Sequence, residues 1–191
     1  LRAEGGRTNM GTVRLMFGFG PACTAPTPRF IRLIEGNAWI QTGTAIAAGD
    51  LDGDGLDDLA IGSPYVRYEN EGRGGVWIIP GSFLADITPL PWEDALNSPG
   101  HWPDESYGNR LLHGYSQGGE AGRGVFIANG LVGVIEINDF VTDVAAVSTV
   151  RLYGVSADGA LDHAPQALVI GETERPGSRL GEHIGVSVGR Q

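Results

Sequence analysis

Four aspartates in one short segment carry the clearest chemistry in this sequence. They follow the pattern D-x-D-x-D-G-x-x-D and are Asp50, Asp52, Asp54 and Asp58. Carboxylates at alternate positions of a tight loop converge on one point, and Gly55 allows the sharp turn that such a loop needs. Hard oxygen ligands in a flexible ring suit Ca²⁺ better than Mg²⁺, which requires strict octahedral geometry. The spacing therefore predicts a Ca²⁺ site formed by these four side chains and the backbone carbonyl of Leu56.

The alternative for this segment is a solvated acidic turn without an ion. Four carboxylates this close together would then repel one another strongly, which favours the metal site. No His or Cys lies in the segment to favour zinc. Asp57 is the remaining acid, and we expect it to point away from the ion.

The residues that flank the segment indicate which kind of calcium loop it is. A calcium loop between two helices carries Glu at its twelfth position, and counting from Asp50 that position is Ile61. Residues 45–48 before the loop and 59–64 after it are short apolar runs bounded by Gly or Pro, which is typical of strands. The loop is therefore predicted to connect two β-strands of a hairpin.

Residues 43–64, which read GTAIAAGDLDGDGLDDLAIGSP, resemble the FG-GAP repeat of integrin α-subunits and their bacterial relatives. Residues 75–81, GVWIIPG, are similar to the strand that follows in that family. The chain departs mildly from the family pattern at two positions. Thr42 replaces the aromatic residue that usually precedes the first Gly, and Ser63 replaces the Ala of the closing Gly-Ala-Pro. The resemblance implies a β-propeller blade with Ca²⁺ bound between its first two strands.

Similar segments recur along the chain and predict an all-β fold of β-propeller blades, each of four antiparallel strands, in an incomplete ring. First strands are predicted at 43–47, 122–128 and 185–189, third strands at 13–18, 76–81 and 150–154, and fourth strands at 32–36, 110–114 and 168–171. The whole chain, 1–191, is then a single partial propeller: a half-blade at 11–36, a calcium-binding blade at 43–114, a degenerate blade at 122–171 and the first strand of a further blade at 184–189.

The degenerate blade lacks the acidic pattern. Asn129-Gly130 stands between two apolar runs, and this dipeptide is typical of a type I′ hairpin. A two-residue turn is therefore predicted in place of a second calcium loop. About eleven strands are too few for a closed ring, so we expect either the remainder of a longer chain or a homo-oligomer to complete the propeller.

Composition narrows the classes of partner. The 31 Gly and 11 Pro among 191 residues suit a fold rich in turns, and the 13 basic and 23 acidic residues give a net charge of −10. Nucleic-acid binding is disfavoured because it depends on Lys and Arg. Cys23 is the only cysteine, so no internal disulfide is possible. No apolar run approaches the ~20 residues of a membrane span.

Two further segments are candidate surfaces. The resemblance implies that partners dock on the face opposite the calcium loops, where the 64–74 connection holds Tyr65, Arg67 and Tyr68; ordinary loop packing is the alternative. The long 82–108 segment contains several aromatic residues. We expect it to be an insertion that packs on the outer edge of the blade, with an aromatic glycan or protein site as the alternative.

No nucleophile elbow, phosphate-binding loop or paired zinc histidines occur, and we expect no enzymatic activity. The predicted function is a calcium-stabilised, integrin-like binding or adhesion module for a protein or glycan ligand. Its expected location is extracellular or at the cell surface, or exported to the periplasm in a bacterium. One alternative is an accessory propeller of a secreted phospholipase or glycan-acting hydrolase, and a second is a structural or oligomerising propeller.

Overall fold

In the part of the chain that the structure describes, the protein is an antiparallel β structure with two short helices. A computed structural model describes residues 11–17, 29–33, 40–68, 71–97, 111–115, 117–142, 145–155 and 161–170. In chain order the elements are β1 (Arg14–Phe17), β2 (Arg29–Arg32), β3 (Ile46–Gly49), β4 (Asp58–Ser63), β5 (Arg67–Tyr68), β6 (Glu71–Gly72), β7 (Gly75–Ile79), α1 (Gly81–Ala85), β8 (Leu90–Pro91), α2 (Trp92–Asn97), β9 (Leu111–His113), β10 (Glu120–Ala128), β11 (Leu131–Thr142), β12 (Ala145–Gly154) and β13 (Ala167–Ile170). The predicted all-β class is confirmed.

The first four-stranded sheet contains the acidic loop and has the order β3-β4-β7-β9. Strands β3 and β4 pair antiparallel from Ile46↔Ile61 to Gly49↔Asp58, so the loop closes their hairpin. All six residues of β4 are buried, which explains its nearly unbroken apolar sequence. The first strand was predicted at 43–47 but begins at Ile46. Gly43, at φ 88°, lies in the turn that precedes it.

The second four-stranded sheet has the order β10-β11-β12-β13. Asn129 and Gly130 have φ values of 52° and 71°, and the flanking residues Ala128 and Leu131 pair across the turn. Positive φ at both central residues is the type I′ geometry, so the predicted tight turn is confirmed. Each of the two four-stranded sheets has the simple up-and-down strand order of a propeller blade.

A third sheet has the order β1-β2-β8. The fourth strand of the half-blade was predicted at 32–36, but β2 spans Arg29–Arg32. Ile31 and Leu33 are both buried, and Arg32 between them is not. This alternation of buried and partly exposed side chains begins before residue 32, the predicted start of the strand. Residues 34–39 lie outside the described part of the chain.

The predicted 82–108 insertion contains β8, α2 and all of α1 except its first residue, Gly81. Strand β8 pairs with β2 through Arg29↔Pro91 and Phe30↔Leu90, so the insertion extends the preceding sheet at the edge of β2. Phe83, Leu84 and Ile87 pack on an apolar cluster shared by that sheet and the first four-stranded sheet. The insertion therefore packs as part of the fold. His101, Trp102 and Tyr107, which the aromatic-site alternative invoked, lie outside the described residues.

The two four-stranded sheets pack face to face through a second apolar cluster. It includes Val76 and Leu112 from the first sheet and Val132 and Tyr153 from the second. Strand β10 contacts β3, β4 and β7 along this interface. Neither described helix is long and apolar enough to cross a bilayer. The further strand predicted at 184–189 lies outside the described residues.

Candidate metal centre

The acidic loop is anchored at its first and last turns and exposed between them. Leu51 is 4% exposed and belongs to the core between the sheets. Residues 52–57 are exposed. Gly53 and Gly55 have φ values of 82° and 86°, which glycine adopts without steric cost. The sequence predicted this role for Gly55, and the structure adds Gly53.

Backbone N–H groups of the loop donate to its own carboxylates. Asp50 accepts from Gly53 N at 2.7 Å and from Gly55 N at 3.2 Å. Asp52 accepts from Asp54 N at 3.2 Å, and Asp54 accepts from Leu56 N at 2.8 Å. These bonds curl the chain into a compact loop.

Asp58 anchors the loop through two backbone hydrogen bonds. It is 2% exposed. Its Oδ2 accepts from Leu51 N at 2.8 Å, and its Oδ1 accepts from Gly81 N at 2.7 Å. Burial raises the pKa of Asp58, the two backbone donors lower it, and the charges of Asp52 and Asp54 raise it again. A carboxylate in this position is stabilised by a nearby cation.

The structure brings three of the predicted ligands together. One carboxylate oxygen each from Asp50, Asp52 and Asp58 lies within 4.8 Å of the others. Two oxygens on one Ca²⁺ lie at most about 5 Å apart, since each is about 2.3–2.6 Å from the ion. The donors are three carboxylates, one of which is buried, and this set suits a hard divalent cation. The cluster therefore fits Ca²⁺.

The remaining residues of the loop lie outside that group of three. Asp54 is exposed, and its Oδ1 accepts from Leu56 N. Asp57 is also exposed and does not belong to the group. The ligand roles of Asp54 and of the Leu56 carbonyl stay predictions.

The sequence did not indicate the contribution of Gly81. Its N–H is the second donor to Asp58, although the two residues are 23 positions apart. A side chain at position 81 would collide with Leu56 Cβ and the Asp57 carbonyl. The only sequence signal was the Pro80-Gly81 pair that ends the third-strand segment.

The predicted partner residues lie at the opposite end of β4. Tyr65 is half-buried, and its hydroxyl donates to Glu120 at 3.2 Å and accepts from Arg123 Nη2 at 2.5 Å. The Arg123 guanidinium lies 5.2 Å from the centroid of the Tyr65 ring. Tyr65 therefore links the two four-stranded sheets. Arg67 is exposed, and Tyr68 pairs with Glu71 in the β5–β6 hairpin.

The fold and the loop define a class of protein: antiparallel propeller-type blades, one of which carries an acidic hairpin loop. Residues 42–79 match the family model described as FG-GAP repeat. This segment is therefore an FG-GAP repeat, and the integrin-like resemblance inferred from the sequence is confirmed.

A stretch of 58 residues is 43% identical to integrin alpha-X of Mus musculus. The match covers 30% of this chain and 5% of that protein. The similarity is therefore confined to a small part of the integrin.

Proposed function

We propose that this chain is a calcium-stabilised, integrin-like propeller module that acts by binding a partner. The observation that carries the proposal is the convergence of Asp50, Asp52 and Asp58 on one point. Asp54 and the Leu56 carbonyl complete the proposed ligand set. The bound ion would supply the positive charge that this cluster lacks.

The chain's own residues determine what the ion would stabilise. Asp58 joins the loop to the N-terminus of α1 through Gly81. Leu51 inserts into the core between the two four-stranded sheets. Neutralising the cluster therefore stabilises the β3–β4 hairpin, its contact with the insertion and the packing of the sheets together. In this proposal calcium stabilises the geometry of the blade and has no catalytic role.

The binding role is supported by the FG-GAP match and the integrin similarity. We propose an extracellular or cell-surface setting, or an exported one in a bacterium, with a protein or glycan as partner. The proposed docking surface is the end of the sheets opposite the acidic loop. Arg67 is an exposed cationic residue of this surface. Tyr65 is fixed by its hydrogen bonds to Glu120 and Arg123.

The direct test is thermal unfolding of the protein with calcium, with magnesium and with chelator. An ion that binds the folded state alone stabilises it by about 2.7 kcal/mol at one hundred times its dissociation constant. We expect the melting temperature to rise with calcium concentration, and to rise less with magnesium. A melting curve that is the same in calcium and in chelator contradicts the proposal.

A further inference from the structure

A cavity of about 350 Å³ lies apart from the acidic loop, beside the end of β9. It opens between the two four-stranded sheets: Arg73, His113 and Tyr115 line it from one side, and Tyr153 and His163 from the other. Its volume is at the lower end of the range typical of small-molecule sites. The acidic loop contributes none of its lining residues.

Tyr115 forms a rigid aromatic wall of this cavity. Its backbone N–H donates to Glu136 Oε2 at 3.1 Å, and its carbonyl accepts from Arg73 Nη1 at 3.1 Å. The Arg151 guanidinium lies 4.2 Å from the ring centroid, a cation–π contact. The side chain is nevertheless 52% exposed. Two hydrogen bonds fix the Tyr115 backbone and one cation–π contact restrains its ring. Such a ring is partly pre-organised to bind a ligand, because it loses less conformational entropy on binding.

The lining side chains Arg73, His113 and His163 can all donate hydrogen bonds. Arg73 carries five N–H groups, of which one each on Nε and Nη2 donates to Glu71 and one on Nη1 donates to the Tyr115 carbonyl. Both imidazoles donate when protonated. The carboxylates on the neighbouring elements each have a partner. Glu71 binds Arg73, Glu136 binds Arg151, and Asp162 accepts from Ala164 N.

Arg73 and His163 both lie close to His113. Its pKa is lowered by burial and by the neighbouring His163 and Arg73. A bound anion would offset both neighbours and the cost of protonating the imidazole. The cavity therefore favours an anion over a cation, in contrast to the acidic loop.

We propose that this cavity binds a carboxylate-bearing ligand of about the size of one sugar ring, such as a uronic acid. Arg73, His113 and His163 contact the carboxylate, and the apolar face of the ring packs on Tyr115. The ligand is either a free acid or one unit of an acidic glycan, since both present the same group. The inference is independent of calcium binding, because the two sites share no residue.

The test is calorimetric titration of the folded protein with four probes: glucuronate, glucose, acetate and a glucuronate-containing oligosaccharide. Glucuronate should bind, glucose should not, and acetate should bind more weakly because it lacks the ring. Tighter binding of the oligosaccharide than of glucuronate identifies a glycan as the source, and equal binding identifies the free acid. Equal binding of glucose and glucuronate, or no binding of glucuronate at millimolar concentrations, overturns the proposal.

Variants separate the site from non-specific charge effects. His163→Gln and Arg73→Gln should each weaken glucuronate binding about tenfold, the loss expected for one charge-assisted hydrogen bond. Tyr115→Leu should weaken glucuronate binding but leave acetate binding unchanged. Arg29→Gln is the matched control, because it removes a positive charge from an exposed residue of β2 away from the cavity. Wild-type affinity in both the Arg73 and the His163 variant, with the fold verified by circular dichroism, refutes the assignment.

The pH dependence provides a second readout. Affinity should rise as the pH falls below about 6.5, the ordinary pKa of histidine, because protonation of His113 adds positive charge beside Arg73. Affinity that does not rise as the pH falls would contradict a contact between the ligand and protonated His113.

Discussion

Oδ1 of Asp58 accepts a 2.7 Å hydrogen bond from the backbone N–H of Gly81, and its Oδ2 accepts one of 2.8 Å from Leu51 N. One buried carboxylate therefore joins the acidic loop, the core beneath it and the first turn of the insertion. The charge that is proposed to bind the ion is also the acceptor that holds these three segments together. Variants at different loop positions can separate the two roles.

Asp58→Asn should destabilise the protein even in chelator. Leu51 N and Gly81 N donate to different oxygens of Asp58. In Asn one of these positions is an NH2 group, which cannot accept, so one of the two N–H groups loses its partner. A buried N–H without a partner costs about 1–3 kcal/mol. Chemical denaturation in chelator should show this loss relative to the wild type. Unchanged stability would mean that the two hydrogen bonds do not anchor the loop.

Asp52→Asn should act mainly on calcium. Asp52 is exposed and accepts only from Asp54 N within the loop, and Asn retains that acceptor. We expect stability in chelator near that of the wild type and a loss of most of the calcium-induced rise in melting temperature. Asp57→Asn is the matched control, since Asp57 has the same charge and exposure in the same loop but lies outside the group of three. Equal effects of the two variants would indicate a diffuse charge effect.

The contrast between Asp52 and Asp58 illustrates what the sequence could predict. The spacing D-x-D-x-D-G-x-x-D selected the loop, and the flanking apolar runs placed it between strands, because both are local patterns. The dual role of Asp58 depends on Gly81, which the fold brings close from 23 residues away. The cavity beside His113 also escaped prediction, since its walls come from both sheets.

Gly62→Ala should destabilise the contact between the two four-stranded sheets. A Cβ at position 62 in β4 would overlap the carbonyl of Gly122 in β10, and overpacking of this kind costs about 1–3 kcal/mol. Gly72→Ala is the control, because a Cβ there meets nothing within 4 Å. Denaturant midpoints compare the two variants. Equal denaturant midpoints for Gly62→Ala and Gly72→Ala would show that the two sheets can move apart at position 62 without loss of folding stability.

Glu136→Gln should be among the more destabilising substitutions. Glu136 and Arg151 form a 2.7 Å ion pair with side chains 2% and 5% exposed. Removing one charge leaves Arg151 buried and uncompensated, which typically costs about 3–5 kcal/mol. The double variant Glu136→Leu with Arg151→Met removes both charges, and we expect it to recover part of the stability. A single variant that unfolds at the wild-type denaturant concentration would contradict this account.

Folding stability should fall as the pH drops below about 6.5, the ordinary pKa of histidine. Burial and the neighbouring His163 and Arg73 lower the pKa of His113 in the folded protein. The unfolded chain therefore takes up a proton at a higher pH than the folded one. Stability is complete above the unfolded pKa and is lost progressively as the pH falls toward the lower, folded value. His113→Gln cannot take up this proton, so its stability should depend less steeply on pH in this interval. Parallel pH profiles of denaturant unfolding for the two proteins would assign the acid sensitivity to other groups.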